Sequence, residues 1–317
     1  MNNTSKINLI YIASTGRSGS TLLELILGMH PKIVNVGEIQ AWPKDILEGG
    51  FVPCGCGKSV RDCPFWKRMF FVENPFNQEG ARIDFFREHY NYGKPFRPRR
   101  LIDFRKNNKF SGEISKKVRE YAQNNAIVFQ AYLKLFEKEN GGSPMWVVDS
   151  SKDPYRLMWL ERSGLFNIKV IHLIKDPRAF AYSMFRHLSN NEKRGLQGMK
   201  FLVKKTISWI ITNRLISKMR VNFLNSSEYK CVKYEDLASK PEKTMNEVFD
   251  FIGLKLKKEF ITDFRKNKNH TIAGNKMRSK KEGMYFDVAW KTKLPSKYQK
   301  MIRLLTRLEA KKYGYFE

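Results

Sequence analysis

Short runs of apolar and β-branched residues alternate along this chain with stretches in which apolar residues recur at helical spacing. Five runs have the character of buried strands: Ile7–Ala13, Val34–Gly37, Met145–Val148, Ile168–Ile174 and Lys230–Lys233. Strands that alternate with helices require crossover connections, which favour a parallel sheet with helices on its faces. The pattern therefore predicts an α/β fold with a doubly wound, mostly parallel sheet and helical insertions.

Capping residues indicate where several helices begin. Asp153-Pro154 predicts a helix that ends near Ser163-Gly164, and Asp176-Pro177 predicts another, because Asp caps helix N-termini and Pro fits the first turn. Ser239 and Glu242 fit a capping box. Helical spacing of apolar residues predicts three buried faces: Val118, Tyr121, Ala122, Phe129, Tyr132 and Phe136 in a long helix; Met245, Val248, Phe249 and Ile252; and Met301, Ile302, Leu305 and Leu308 in a final helix.

No Pro-, Gly- or Ser-rich linker, low-complexity tract or repeat divides the 317 residues, so we expect one domain over residues 1–317. Residues 40–112 are irregular and rich in aromatic residues and Arg. They predict an insertion or lid at about 40–140 over the carboxyl edge of the sheet, where ligands bind in such folds. No apolar run reaches the roughly 20 residues that span a bilayer, and the N-terminus lacks an apolar signal-peptide core. A cytoplasmic protein is expected.

Residues 14–23 read Ser-Thr-Gly-Arg-Ser-Gly-Ser-Thr-Leu-Leu, directly after the first predicted strand. Amides at the start of a helix, hydroxyls and a guanidinium suit an anionic group. A Walker A loop, G-x-x-x-x-G-K-[ST], places a lysine on the transferred phosphates. Here Gly19 is followed by Ser20 and Thr21, and the fixed positive charge is Arg17. The segment predicts a P-loop-like phosphate cradle without the lysine of nucleotide triphosphatases.

The chain is strongly basic, with 59 Lys and Arg against 31 Asp and Glu and a net charge of +28. This excess favours anionic partners such as nucleotides, acidic glycans, lipid headgroups or nucleic acid. The charge is spread, with concentrations at 97–109, 193–205 and 255–268, and each fits a solvated face better than a dedicated patch. Neither a zinc-finger spacing nor an RNP sequence is present, so nucleic acid is not an expected partner.

Three of the four cysteines lie close together, as Cys54-Gly-Cys56 and Cys63. A structural zinc site takes four ligands, usually with C-x2–4-C spacing, and the nearest downstream histidine is His89. A disulfide is disfavoured in a cytoplasmic chain. We therefore favour a thiol-containing structural loop over a zinc site, and a zinc site over a redox pair; no metal ligand is predicted.

Polar residues follow three of the predicted strands, at 14–21, 149–152 and 175–183. Because the carboxyl ends of parallel strands meet at one crevice, we expect these segments to converge there. They would bring four cations to its rim: Arg17, Lys152, Lys175 and Arg178. Four cations fit a ligand with two separate phosphate-like groups. A magnesium triphosphate would instead need acidic metal ligands, and only Asp149 is well placed.

The order of these segments matches a known family. Thr15–Thr21, Ile174–Ser183, Lys233–Leu237 and His270–Arg278 with Trp290-Lys291 follow one another along the chain. Together they resemble the sulfotransferases that use 3′-phosphoadenosine 5′-phosphosulfate (PAPS). In that family they correspond to the 5′-phosphosulfate loop, the 3′-phosphate segment, the strand and helix after the donor site, and a donor-closing loop, here at about 268–292. Cys54–Trp66 is also similar to a segment of many bacterial members.

The resemblance implies a set of donor-binding residues. The 5′-phosphosulfate would be held by the loop residues Thr15, Gly16, Arg17, Ser18, Gly19, Ser20 and Thr21. Lys175 and Ser183, eight positions apart, would hold the 3′-phosphate. Tyr234 would lie near the adenine or 3′-phosphate, Asn275 and Arg278 would close over the donor, and His270 would belong to the closing loop. The 3′-phosphate segment usually begins with arginine, and Lys175 keeps its charge without the bidentate fork.

Three residues are predicted to be catalytic. Arg17 would stabilise the transferring sulfuryl group, and by resemblance Lys152 would contact the bridging oxygen of the donor. In related enzymes a glutamate in a Gly-Glu pair is the general base for the acceptor, which implies this role for Glu38. The alternatives are a solvated Lys152 in a tight turn and a Glu38 that only caps a helix at 39–47. His30, before Pro31, is a weaker base candidate and fits a helix C-terminus better.

The resemblance implies sulfuryl transfer from PAPS to a hydroxyl of a glycan, glycolipid or small metabolite, with no metal required. The segment 186–225 alternates basic and apolar residues, which fits a core helix or an amphipathic surface that contacts the inner membrane face. Two rival functions stay open. One is a P-loop-type kinase or nucleotide phosphatase with Trp146–Asp149 as a Walker B-like strand, and the other is a non-catalytic protein that binds anionic glycans or nucleic acid.

Overall fold

Five parallel strands form a single sheet within the described part of the chain. The structure, a computed structural model, describes residues 6–43, 45, 49–72, 75, 116–189, 195–266, 269–275, 278 and 284–316. The strands are β1 Ile7–Ser14, β2 Ile33–Gly37, β3 Trp146–Lys152, β4 Phe166–Ile174 and β5 Tyr229–Lys233. Their order is β2-β3-β1-β4-β5, and every neighbouring pair is parallel. The predicted α/β fold class with a mostly parallel sheet is confirmed.

Helices connect and cover these strands. In chain order they are α1 Ser20–Leu27, α2 Pro64–Lys67, α3 Lys116–Asn140, α4 Pro154–Arg162, α5 Pro177–Phe185, α6 Gly195–Phe223, α7 Tyr234–Ser239, α8 Pro241–Phe251, α9 Glu259–Thr262, α10 Trp290–Lys293 and α11 Ser296–Lys311. A 3-10 turn, Ile39–Ala41, follows β2. None of the described helices is long and apolar enough to cross a membrane.

The central strand, β1, divides the interior into two apolar cores. Leu9 and Tyr11 belong to the core that α3, α4 and α6 cover, whereas Ile10 and Ile12 belong to the core under α1 and α8. All four side chains are fully buried. A parallel sheet with both faces covered has strands that are apolar throughout, which is why an unbroken apolar run predicts β1 correctly.

The strand register brings the carboxyl ends to one level. Ala13 of β1 pairs with Lys152 of β3 on one side and with His172 of β4 on the other, and Ile174 pairs with Lys233 of β5. From β1 the chain passes to the β2–β3 side and crosses to β4 after β3, so the strand order reverses at β1. In open α/β sheets ligands bind at such a point, outside the carboxyl ends.

The helix caps follow the sequence in two places and depart from it in one. Asp153 accepts a hydrogen bond from the Tyr155 amide, and Asp176 from the Arg178 amide, so both predicted Asp caps are confirmed. The predicted capping box at Ser239 is wrong. Ser239 is still helical in α7 and its hydroxyl donates to Glu235 O at 2.6 Å, while α8 begins at Pro241 without a side-chain cap. The first residue of a capping box has a non-helical backbone. Ser239 is instead the last residue of the short helix α7, so it cannot cap α8.

Two of the predicted apolar faces are buried and the third is only partly so. The faces of α3 and α8 lie in the two cores as predicted. In α11, Ile302 is buried, but Leu305 and Leu308 are 43% and 78% exposed. This helix turns its small and polar residues inward instead, and Glu309 accepts a 2.9 Å hydrogen bond from Arg214 of α6. The buried side of α11 therefore consists of Tyr298, Ile302, Thr306, Glu309 and Ala310, and the two leucines lie beside it.

The predicted insertion is described only in part. Residues 73–74 and 76–115, with the basic stretch 97–109, lie outside the described residues. Residues 49–72 pack on the edge of the sheet, where Val52, Val60, Trp66 and Met69 are buried. The segment 186–225 contains α6, and its Leu202, Trp209, Leu215 and Ile216 are buried in apolar cores. For this helix the core interpretation fits the packing.

Candidate active site

The loop between β1 and α1 turns through two residues with positive φ. Arg17 has φ 68° and Gly19 has φ 94°. The Thr15 and Ser18 hydroxyl oxygens are hydrogen-bonded at 2.7 Å and both residues are buried. A Cβ added at Gly16 would meet no atom within 4 Å, so there is open space beside the loop backbone. A glycine-containing turn that leads into a helix N-terminus fits a phosphate-like anion.

Tyr234, the first residue of α7, connects this loop to the segment after β4. A Cβ on Gly19 would lie 2.5 Å from Tyr234 Cδ2, so the ring rests directly on the loop. Lys175 Nζ lies 4.0 Å from the centre of the same ring, a cation–π contact. Two of the segments predicted to converge therefore meet across one aromatic side chain.

Lys175 is a buried cation at the carboxyl end of β4. Burial lowers the pKa of its ammonium to about 8, an effect that the charge of Glu235 partly offsets. Its carbonyl accepts a 3.0 Å hydrogen bond from Trp209 Nε1 of α6, which fixes the backbone at this position. Ser183 is buried on α5 and its hydroxyl donates to Phe180 O at 2.7 Å.

Arg178 is paired with Asp176, the residue that caps its own helix. Its guanidinium lies 2.7 Å from Asp176 Oδ2 and contacts the rings of Trp290 and Phe316, at 4.4 and 4.7 Å from their centres. The sequence predicts this arginine among the four cations at the rim of the crevice. The structure instead uses its charge to join α5 to α10 and the C-terminal residues.

Glu38 and Lys152 form an ion pair at the ends of β2 and β3. Lys152 Nζ lies 2.5 Å from Glu38 Oε1, and both side chains keep some exposure, 12% and 25%. Glu38 makes no side-chain cap for the turn Ile39–Ala41, so the helix-cap alternative does not describe its contacts. Lys152 has φ 69°, and a non-glycine residue in this region is destabilised by about 1–2 kcal/mol. Among the described residues four non-glycine residues have positive φ: Arg17, Lys152 and Ala273, which lie around the crevice, and Phe316 near the C-terminus. Such strain often occurs at functional sites.

Asp149, the carboxylate that a Walker B-like strand would offer to magnesium, is already bound. It is fully buried, and its Oδ2 accepts 2.8 Å contacts from the Arg156 Nε and Nη2 atoms, while Oδ1 accepts from the Ser151 amide. Removing one partner of a buried ion pair is strongly destabilising. Asp149 is therefore a structural group beneath the crevice.

The segment 269–275 lies beside the phosphate loop. The Asn275 amide donates to Thr21 Oγ1 at 3.1 Å, and Ile272 bridges to Gly37 at the end of β2. The Glu38 amide donates to Ile272 O at 2.8 Å. Arg278 donates to the carbonyls of Thr271 and Pro53, both at 3.2 Å. This segment thus connects the phosphate loop to the backbone of Glu38.

Two polar residues near the site were not selected from the sequence. Glu24 of α1 is buried, and Ser150 Oγ donates to its Oε2 at 2.8 Å; burial raises its pKa to about 7. Its signal in the sequence is a single carboxylate within the otherwise apolar stretch 22–27. His187, which follows α5, lies with its Nε2 atom 3.0 Å from Arg17 Nη2. No local pattern marks a histidine 170 residues away from the loop.

His30, the weaker base candidate, has a packing role. Its ring contacts Phe249 and Phe260, at 5.9 and 5.6 Å between ring centres, and its Nδ1 accepts from the Lys32 amide. These contacts place it with the helices under the sheet, as expected for a residue at a helix end.

Two comparisons with known proteins, one of the sequence with family models and one of the fold with solved structures, both find sulfotransferases. The family model described as "Sulfotransferase domain" matches residues 157–291. Among solved structures, the sulfotransferase domain of the Synechococcus PCC 7002 olefin synthase has a TM-score of 0.51 at 20% identity, covering 97% of this chain and 96% of that one. Sulfotransferase STF9 from Mycobacterium avium has a TM-score of 0.51 at 11% identity, covering 99% and 79%. No match was found among the curated proteins.

At identities of 20% and 11% the solved structures support the fold alone. The family model supports a sulfotransferase domain over residues 157–291, from α4 to α10. The resemblance to sulfotransferases, the fold class and the enzyme class expected from the sequence are confirmed. The donor, the acceptor and the roles of individual residues stay predictions.

Proposed function

Starting from an enzyme with the sulfotransferase fold and a sulfotransferase domain, we propose that this protein transfers a sulfuryl group from PAPS to a hydroxyl of a glycan, glycolipid or small metabolite. One observation carries the proposal: the phosphate loop 15–21, the Lys175–Tyr234 contact and the Glu38–Lys152 ion pair lie at the carboxyl ends of adjoining strands. They supply an anion cradle, a second cation and a carboxylate around one crevice. We take the chain from 1 to 317 as one domain built around it.

The residues present fit a donor with two phosphate groups. The loop from Thr15 to Thr21 would hold the 5′-phosphosulfate, and the open space beside Gly16 leaves room for it. Lys175 would hold the 3′-phosphate, with Tyr234 beside it as a surface for the nucleotide. Ser183 would join them only by exchanging its present hydrogen bond to Phe180 O. Asn275, whose amide donates to Thr21 Oγ1, and Arg278 would hold the closing segment, residues 269–275, over the loop.

The proposed transfer needs a base, a positioned acceptor and cations for the leaving group. Glu38 would take the proton of the acceptor hydroxyl, and the acceptor oxygen would form a bond to sulfur as the bond from sulfur to the 5′-phosphate oxygen breaks. The products are a sulfate ester and adenosine 3′,5′-bisphosphate. Arg17 and Lys152 would stabilise the charge that develops on the sulfuryl and leaving oxygens. Because these side chains carry the charge, the transfer itself requires no metal.

Residues 40–140 and the segment 186–225 are proposed to shape the acceptor site. A cytoplasmic location is part of the proposal. Contact with the inner membrane face is the weaker part, since the large apolar residues of α6 are buried in the core. Binding to anionic vesicles that matches binding to neutral ones would remove it.

Substitution of Glu38 tests the assignment of the base. Glu38→Gln keeps the size of the side chain and removes the proton acceptor, so turnover is expected to fall by about 10²–10⁴-fold. The assay measures adenosine 3′,5′-bisphosphate released from PAPS with a panel of neutral glycans, glycolipids and small alcohols as acceptors. Calorimetry should give the variant nearly the wild-type affinity for the bisphosphate. A collapse of that affinity would show that Glu38 is structural and would contradict its role as base.

A further inference from the structure

Three cysteines and one histidine lie close together where residues 54–63 contact the closing segment, residues 269–275. Cys54, Cys56, Cys63 and His270 each offer one ligand atom, and these four atoms lie within 4.8 Å of one another. Cys63 Sγ is 3.5 Å from Cys54 Sγ and 3.1 Å from His270 Nδ1, and Cys54 Sγ is 3.9 Å from the same nitrogen. Within the described residues no other group of three or more His, Cys, Asp or Glu could hold a metal ion.

The three separations that involve Cys54, Cys63 and His270 lie within about 0.4 Å of those in a tetrahedral zinc site. Zn–S bonds of about 2.3 Å and a Zn–N bond of about 2.0 Å place two sulfurs roughly 3.8 Å apart and sulfur and nitrogen roughly 3.5 Å apart. Three thiolates and one imidazole are also one of the usual ligand sets of structural zinc. We propose that Cys54, Cys56, Cys63 and His270 bind a structural zinc ion, which fastens the segment 269–275 to the region beside β2.

The surroundings hold the ligands as a metal site requires. Trp66 Nε1 donates to His270 O at 2.7 Å, and the Phe65 ring stacks on the imidazole with centres 5.1 Å apart and planes inclined by 11°. Partners of this kind fix the orientation of metal ligands. Phe65 and Trp66 are both buried, so the histidine is held against a rigid surface.

The charge of the site has a counterpart nearby. Three thiolates and Zn²⁺ leave one negative charge, and Cys54 and Cys63 are buried. Arg278 lies in the same region, with its Nη2 atom 3.2 Å from Pro53 O, and its guanidinium interacts electrostatically with Cys54 and Cys56. A cation beside the cluster lowers the desolvation penalty of the thiolates.

A disulfide is the rival arrangement for two of the thiols. Cys54 Sγ and Cys63 Sγ are 3.5 Å apart, but a disulfide between them would leave Cys56 and His270 without a shared role. The four-ligand arrangement uses all of them. It also explains why a histidine 207 residues from Cys63 lies with its nitrogen against the thiols.

Backbone contacts of the closing segment connect the proposed zinc site to the candidate active site. Gly55 donates to Thr271 O and Ala273 donates to Pro53 O, both at 2.8 Å, so the cysteine loop and the closing segment are paired. Ile272 in turn accepts from the Glu38 amide, and Asn275 donates to Thr21. A metal at the cluster would therefore position both the proposed base and the phosphate loop without touching either. The metal site itself does not depend on the proposed reaction.

Metal analysis of the full, tag-free chain tests the proposal. We expect about one zinc per chain as purified, and competition with a chromophoric chelator should report the affinity of the reduced, metal-stripped chain. Cys56→Ser removes the one exposed thiolate ligand and is expected to lower zinc affinity by more than the roughly 10–100-fold that loss of an outer-shell partner causes. His270→Cys, which restores four ligands, should keep the metal, and His270→Ala should lose it. Cys231→Ser is the matched control, because this exposed cysteine lies outside the cluster.

Two further measurements, cobalt absorption and hydrogen exchange, distinguish a zinc site from a cysteine loop that binds no metal. Cobalt substitution should give thiolate-to-metal absorption in the wild type and the Cys231→Ser control and lose it in Cys56→Ser. Hydrogen exchange at the amides of Gly55, Ala273 and Asn275 should be faster in Cys56→Ser than in the control. The proposal is overturned if the reduced chain binds neither zinc nor cobalt, if Cys56→Ser and His270→Ala bind as the wild type does, or if only two of the four thiols titrate in the unfolded, unreduced chain. None of these readings depends on sulfuryl transfer.

Discussion

At the scale of single residues, Lys175 is the departure from the family pattern that the structure makes measurable. An arginine in this position would stay charged at every pH of interest, whereas burial lowers the pKa of Lys175 to about 8. A neutral amine does not attract a phosphate. The affinity of the wild type for adenosine 3′,5′-bisphosphate is therefore expected to fall above about pH 8, by up to about tenfold per pH unit.

Lys175→Arg should flatten this profile. Calorimetric titration from about pH 7 to about pH 9.5 compares the two proteins, and the arginine variant should keep a constant affinity across the range. Parallel profiles in the wild type and the variant would mean that the group titrating in this range is not Lys175. A flat wild-type profile would place the 3′-phosphate elsewhere.

At the scale of elements, the phosphate loop depends on the close approach of Gly19 to Tyr234. A Cβ in Gly19→Ala would lie 2.5 Å from the ring, which must move, and the Lys175 contact moves with it. We expect the dissociation constant for the bisphosphate to rise by about tenfold or more, about 1.4 kcal/mol.

Gly164→Ala is the matched control for this prediction. Gly164 also has a positive φ, 70°, but its Cβ would meet no atom within 4 Å. Both substitutions should lower the free energy of unfolding by about 1–2 kcal/mol through backbone strain alone. Only Gly19→Ala should weaken nucleotide binding as well. Equal binding by the two variants would show that Tyr234 does not position the site.

The elements also show what a sequence can predict and what it cannot. Strand β1 and the caps at Asp153 and Asp176 follow from apolar runs and from residues next to one another, and they are where the sequence places them. Ser239 and Leu308 were predicted wrongly because neighbouring elements decide their surroundings: a preceding short helix in one case and the Arg214–Glu309 pair in the other. Local pattern cannot contain such contacts.

The same limit applies to the site. Glycines, hydroxyls and cations at strand ends predict a crevice that includes the loop 15–21 and Lys175, since parallel strands bring their carboxyl ends together. His270 joins the three cysteines only through the pairing of residues 271–273 with residues 53–55. The nearest histidine downstream of the cysteines in the sequence is His89, which lies outside the described residues. A fourth ligand 207 residues from Cys63 gives no recognisable metal-ligand spacing in the sequence.

At the scale of the whole molecule, the net charge of +28 agrees with an anionic donor but does not decide the function. What separates the three functions is the chemistry at one edge of the sheet. A kinase would need an acidic metal ligand, and Asp149 is bound to Arg156. A binding protein for anionic polymers could rely on the exposed Lys and Arg residues alone, and would have no use for a buried cation such as Lys175 beside a phosphate-like loop.

The central claim is that this crevice binds a 3′,5′-bisphosphorylated adenosine, and calorimetric titration tests it most directly. Adenosine 3′,5′-bisphosphate, ADP and ATP would each be titrated into the full chain, with and without added magnesium and without a chelator. We predict tight binding of the bisphosphate that magnesium does not change, with much weaker binding of ADP and ATP. Preferential binding of ATP with magnesium, or no binding of the bisphosphate, would contradict the account.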